Sequence, residues 1–426
     1  MTFLQFNERA NFYLTCAIAF LIPAYPSLVA PCIILLALNW ISAPKLILSG
    51  FKNIYNNTSI LILLSLFLFY LIGMFYTENI KFGKEVVETK LSFIAIPLAL
   101  STYALSYKEK YKSVLKLFAI GTTVNALVCF IWATYRFYKP VYVILYDVPY
   151  NLGTSYFYYH NLSVFMHPSY IALYSVFALV SIYYLVKQRR IKLNLFWISV
   201  SILLSIFILL MSSKAGWLCF LIFILYFSFK LLKKQKTKYV LTILGTLVLL
   251  FLVLNVYTKH RFLVRLPQWN KIVEAIKGVD SENKKITTSD EGSGSRILVW
   301  KAALDVATDN FWVGTGTGDS KDNLLKKYEE KGMNNELKIK MNAHNQFLNT
   351  FIALGIGGLL LLLACFLIPL YLSLKSKFYL LSAFLAFSSL NFLFEAMLEM
   401  QAGVLFFAFF FTLLCYTFLT KQIKAN

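Results

Sequence analysis

Five segments carry residue types able to do acid–base or anion chemistry. The first is Asn342-Ala343-His344-Asn345-Gln346, just ahead of a long apolar run. An imidazole there suits a general base at neutral pH, while asparagines on either side of His344 at a helix start also suit capping. The second is Gly294-Ser295-Arg296-Ile297-Leu298-Val299-Trp300. The Arg296 guanidinium is shaped to hold phosphate oxygens; the plainer reading is a solvated or headgroup-contacting charge. The third is Ser212-Ser213-Lys214-Ala215-Gly216-Trp217, where Lys214 interrupts apolar sequence and contacts either lipid headgroups or an anionic substrate. In the fourth, Glu395 and Glu399 are spaced i,i+4, which puts both carboxylates on one helical face. Such a pair can do acid–base work or bind a cation; pairing with basic loop residues is the favoured reading. The fifth is His167-Pro168-Ser169, a helix start with Pro168 in its first turn. His167, Asn345, Glu395 and Glu399 are candidate substrate contacts. The Tyr-rich stretch from Tyr150 to Tyr159 reads as an interfacial aromatic belt, with sugar or lipid contact as the alternative.

The frame that positions these residues is a membrane one. Of 426 residues, 59% are hydrophobic and only 14% charged, with a mean hydropathy of +0.65. A soluble protein of this size would carry roughly a quarter charged residues. The composition therefore excludes a cytosolic enzyme, a disordered chain and a disulfide scaffold, and predicts an all-α polytopic membrane protein. About twelve spans are expected, near 10–25, 28–43, 58–76, 91–107, 114–135, 168–186, 193–211, 215–232, 239–257, 346–374, 378–394 and 401–420. The first run lacks a small-residue cleavage site and reads as an anchor, not a signal peptide.

Charge supplies the orientation. With the N-terminus in the cytoplasm, the cytoplasmic segments hold twenty basic residues against two acids, Glu8 and Glu109. The short outer loops hold six of each sign, and the long hydrophilic segment 258–345 holds fifteen basic and twelve acidic residues. The positive-inside rule then puts both termini in the cytoplasm and the long loop outside. It also accounts for most of the net +21 without nucleic acid. All four histidines (His160, His167, His260 and His344) fall on or near the outer side. The six cysteines all lie in apolar runs, so neither a disulfide framework nor a zinc site is indicated.

The chain is thus expected to comprise spans 1–9 over 1–257, a large outer loop over 258–345 with the catalytic residues, and spans 10–12 over 346–426. Within that loop, apolar residues recur at helical spacing from Arg296 onward, so an amphipathic helix capped by Ser293 or Ser295 is expected on the outer surface. It should end before Gly314-Thr315-Gly316-Thr317-Gly318, a run that fits no dinucleotide fingerprint and reads as a turn. Asn125, Asn255 and Asn391 read as helix-to-helix glue within the spans.

The loop and the span after it resemble the O-antigen ligase and O-antigen polymerase superfamily. The likeness rests on Arg296–Trp300, on Gly314-Thr315-Gly316, and on His344-Asn345 followed after nine residues by Gly355-Ile356-Gly357-Gly358. The twelve-span layout is similar too. The resemblance implies a membrane glycosyltransferase of the C type, moving a glycan from undecaprenyl pyrophosphate onto an acceptor hydroxyl at the periplasmic face of the bacterial inner membrane. It implies His344 as the base toward the acceptor and Arg296 as a holder of the pyrophosphate, with no metal or other cofactor required. Where the family often has Ser-Arg between two central spans, this chain has Ser213-Lys214, so the charge stays and the bidentate fork is lost.

The physical chemistry agrees: a pyrophosphate leaving group needs fixed positive charge, and the departing lipid needs apolar walls. Direct displacement with inversion is expected, because no obvious nucleophile accompanies the histidine. The leading expectation is a ligase that joins the glycan to lipid A–core. The alternatives are a polysaccharide polymerase or a protein O-oligosaccharyltransferase with the same chemistry. A transporter is disfavoured by the sparse intramembrane charge and the lack of repeat halves. Expected partners are the lipid-linked donor, a lipid A–core or glycan acceptor, and membrane lipids.

Overall fold

The computed structural model describes residues 2–138, 143–145, 148–150, 156–233 and 293–422, with a few single positions between 235 and 245. The expected span 239–257, with Asn255, and His260 fall outside this description. The described chain is helical apart from one short antiparallel hairpin, Val143–Leu145 with Val148–Tyr150.

In chain order the helices are α1 (Phe3–Ala24), α2 (Val29–Ile41), α3 (Pro44–Tyr55), α4 (Thr58–Gly73), α5 (Ile80–Lys90), α6 (Ser92–Ser101), α7 (Tyr107–Tyr138), α8 (Pro168–Lys187), α9 (Leu195–Leu210) and α10 (Lys214–Leu232). After the undescribed stretch come α11 (Ser293–Asp309), α12 (Ser320–Glu330), α13 (Asn334–Lys338), α14 (Gln346–Lys375), α15 (Tyr379–Phe394) and α16 (Gln401–Gln422). Their starts follow from local chemistry. Asn57, Asn79, Asn194, Ser213 and Asn345 each accept a backbone N–H of the first turn, at α4, α5, α9, α10 and α14. Pro168 opens α8, where its missing N–H costs nothing.

Six helices among the described residues are long and apolar enough to cross a membrane: those at Thr58–Tyr76, Glu109–Tyr138, Pro168–Lys187, Lys214–Leu232, Gln346–Lys375 and Gln401–Phe418. Two shorter apolar helices, α9 and α15, accompany them. The expected second span differs in shape. The chain bends by 108° between α2 and α3, where Pro44 at the first position of α3 starts a new helix. The amphipathic α3 then lies against the end of α6, with Asn53 Nδ2 donating to the Ser101 carbonyl. The expected fourth span, 91–107, is also broken: the apolar α6 ends at Ser101, and a 3-10 turn, Ala104–Ser106, follows it.

The core is apolar on all sides because two helices run through its middle. Both α8 and α16 are mostly buried, and Phe406 and Phe410 of α16 meet Phe118 of α7, Phe177 of α8 and Phe384 of α15. The outer helices keep large exposed side chains, such as Leu68, Ile202 and Leu225, as a lipid-facing surface requires. Small residues permit close crossings: a methyl group added at Gly121 of α7 would sit 2.2 Å from the Phe20 carbonyl oxygen of α1. Asn125 serves as glue there, donating to the Pro23 carbonyl.

The two ends of the bundle differ in charge chemistry. At the end of α8 that carries Tyr184, Tyr111 and Tyr184 share a hydrogen bond, and Glu109 pairs with Lys112 and Arg190. The other end of α8, beginning at His167, carries the candidate site.

Candidate active site

A carboxylate forms the centre of the site. Glu395 ends α15 in extended backbone, its N–H bonded to the Asn391 carbonyl 2.9 Å away. Its Oε1 accepts from Arg296 Nη2 and from Ser169 Oγ, each at 3.1 Å. Its Oε2 lies 3.2 Å from His344 Nδ1. Arg296 also donates through Nη1 to the Phe394 carbonyl at 3.1 Å. Asn391 Nδ2 donates to the Ser169 carbonyl, which ties α15 to the start of α8. Glu395 is buried, and burial alone would raise its pKa. The His344 hydrogen bond and the charges of Arg296, His344 and His167 outweigh that and hold it at about 2. It is therefore ionised and can only accept hydrogen bonds.

His344 itself occupies an unusual backbone position, φ +43°, in a turn closed by its N–H to Asn342 Oδ1 at 2.9 Å. A non-glycine residue in this region is strained, and such strain recurs at functional sites. The next residue, Asn345, is the N-cap of α14 and accepts from the Leu348 N–H. His167 caps α8, accepting from the Ser169 N–H at 3.3 Å. Its ring lies 4.8 Å from that of His160 and 5.8 Å from that of Tyr170. Burial lowers the His167 pKa, with His344 and Arg296 adding to the fall and Glu395 opposing it.

The expected shared helical face is not formed: Glu395 is extended and a separate 3-10 turn, Met397–Glu399, follows, so the second carboxylate serves a different partner. Glu399 pairs with Lys90 of α5 at 3.3 Å. Gln346 bridges the two segments of this junction, donating to Glu399 Oε1 and accepting the Leu398 N–H at 2.6 Å. Burial lowers the Lys90 pKa against the opposing pull of Glu399. The stretch 395–399 thus grips the stretch 344–346 at both ends. Of the two carboxylates, Glu395 pairs with a loop arginine as expected, whereas Glu399 takes its lysine from α5. Lys214 is the exposed first residue of α10, behind its cap Ser213. That helix start is pressed onto α8, with Gly216 packed against Ala172, one turn below Ser169.

The glycine run does more than turn the chain. Helix α14 breaks at Gly355 (φ +64°, ψ −163°), and the run docks into the break. The Ile356 N–H, which in a regular helix would bond Ile352, donates instead to the Phe311 carbonyl at 2.8 Å. The released Ile352 and Ala353 carbonyls accept Thr315 N–H and Gly316 N–H at 2.8 and 3.1 Å. A methyl group on Gly355 would meet the Trp312 carbonyl oxygen at 2.4 Å, and one on Gly314 the Ala353 carbonyl at 2.5 Å. Thr317 bonds the Gly73 and Tyr70 carbonyls of α4. Asp319 accepts from the Glu78 and Asn79 N–H groups at 2.8 and 2.7 Å. These bonds clamp the outer segment to α4 and α14. The face of α11 carrying Leu298, Val299, Ala302, Ala303, Val306 and Ala307 then packs with α12 on the first turns of α14. Arg296, in the first turn of α11, is aimed by this packing.

Sequence reasoning singled out His344, Arg296, Glu395 and His167, and these four share one junction. It treated Ser169 only as part of a helix start, and Lys90 only as a loop charge. Ser169 had no signal beyond its neighbours. Lys90 had one: a lone cation between a polar helix and an apolar one.

Residues 199–363 match the family described as O-antigen ligase. The matched stretch contains Lys214, Arg296, His344 and both glycine runs, while His167, Glu395 and Glu399 lie outside it. No curated protein matches the chain.

Proposed function

We propose that this chain, which belongs to the O-antigen ligase superfamily through residues 199–363, transfers a glycan from undecaprenyl pyrophosphate to a hydroxyl of lipid A–core. Members of the superfamily are membrane glycosyltransferases acting on lipid-linked glycans. The observation that carries the reading is the meeting of His344 and Arg296, distant in sequence, on the single carboxylate of Glu395 at one end of an apolar bundle. A base and a guanidinium that close can serve the two ends of one displacement.

His344 takes the proton of the acceptor hydroxyl as its oxygen attacks the anomeric carbon. The bond to pyrophosphate breaks with its electron pair staying on the leaving group. Arg296 retains N–H donors beyond the two bonds it makes to Glu395 and Phe394, and these receive the developing charge. Lys214 adds a second, weaker cation, and the outcome at the anomeric carbon is inversion. In the cell the protein lies in the inner membrane on twelve spans, both termini cytoplasmic and the long loop periplasmic. Deleting the gene and analysing both glycan pools tests the acceptor. Core without O-chain, with full-length polymer stranded on undecaprenyl pyrophosphate, is the expected result. Core capped by a single repeat would mean a polymerase, and unchanged core would redirect the search to a protein acceptor.

A further inference from the structure

Glu395 lies beyond the stretch that matches the family, yet both residues given chemical roles depend on it. Resting on the reading above, we propose that Glu395 is a positioning residue for the transfer reaction, fixing His344 in the tautomer protonated on Nδ1 and leaving Nε2 as the basic atom. The tautomer matters because only one ring nitrogen of a neutral imidazole can accept a proton.

Three features make Glu395 suited to this task. It is anchored: its backbone N–H is bonded to Asn391, whose side chain also holds Ser169. Both its oxygens are engaged, Oε1 by Arg296 and Ser169 and Oε2 by His344, so the carboxylate cannot rotate away without losing charge-assisted bonds. It is also largely dry, its side chain 9% exposed beside a His344 side chain 21% exposed. When the acceptor proton moves to Nε2, the ring becomes an imidazolium flanked by the carboxylate, which offsets the new charge. That proton then passes to water or the departing pyrophosphate, and the neutral ring returns with Nδ1 still protonated. The other groups facing Glu395 are Arg296, His167 and the Ser169 hydroxyl, and burial lowers the His167 pKa.

The experiment uses the full chain in proteoliposomes, with an undecaprenyl-pyrophosphate-linked oligosaccharide as donor and lipid A–core as acceptor. Glu395→Gln is expected to lower kcat roughly 10²–10⁴-fold, the range of a lost general-base function, with donor KM little changed. The double variant Glu395→Gln/His344→Ala should be no slower than His344→Ala alone, because Glu395 acts through that ring. Glu395→Asp, which keeps the charge on a shorter arm, should recover part of the rate. Nitrogen-15 spectra of histidine-labelled protein, with His344→Ala to assign the signal, should show Nδ1–H in the wild type and its loss in Glu395→Gln. Wild-type kcat in Glu395→Gln, multiplying losses in the double variant, or a change confined to donor KM would overturn the inference. Near-normal transfer by His344→Ala would overturn the base assignment itself, a distinguishable failure.

Discussion

At the residue scale the account rests on side chains whose types were informative before their positions were. His344 stood out because an imidazole flanked by two asparagines opens a span, and Arg296 because a guanidinium opens an amphipathic run. Their convergence on Glu395 was not legible, since α11, α14 and α15 are brought together by tertiary packing that no local spacing encodes. The roles predict separable effects. His344→Ala should reduce transfer by roughly 10²–10⁴-fold, the usual worth of a general base, while the protein is still made and inserted at wild-type level on a blot of membranes. Arg296→Lys should raise the donor KM in a titration of lipid-linked substrate, because an ammonium cannot reproduce the fork; an unchanged KM would mean that the guanidinium touches only protein. The acid response follows from Glu395. Its folded pKa of about 2 lies below the ordinary value of 4.5, so its contribution to stability is complete above about 4.5 and is lost as pH falls toward 2. Unfolding of the wild type in detergent should therefore steepen with acid across that window, and Glu395→Gln should flatten the curve.

At the element scale the sequence was most readable where caps and periodicity agree, as at α4, α8, α9, α10 and α14. It was least readable where the chain bends. Nothing in 28–43 announced the bend at Pro44 that sets α3 against α6, because Pro opens helices as readily as it ends them. The glycine run was legible as a turn but not as a plug, since its partners are carbonyls that exist only because α14 breaks at Gly355. That pairing predicts a large effect from a small change. Gly355→Ala places a methyl group against the Trp312 carbonyl in a backbone region that L residues avoid. It should destabilise the fold by about 1–3 kcal/mol or more, read as a lower detergent-melting temperature. Transfer should fall as well, because α11 and its arginine lose their seat. Unchanged melting would show that the break is not required.

At the scale of the whole molecule, composition and the positive-inside asymmetry carry the argument. The net charge of +21 looks like a nucleic-acid signature until it is divided by side of membrane. The structure adds that Glu109 and Arg190 meet at one end of the bundle while Arg296, His344 and Glu395 meet at the other. In a chain cleared of native cysteines, an impermeant maleimide applied to spheroplasts should label Lys338→Cys and spare Arg189→Cys; the reverse pattern would invert the orientation. The central claim, that one end of this bundle performs glycosyl transfer with His344 as base, is tested most directly by reconstitution. Purified protein in proteoliposomes should move glycan from undecaprenyl pyrophosphate to lipid A–core, and His344→Ala, equally folded, should lose at least about 10²-fold of that rate. Equal transfer by the two proteins would contradict the account.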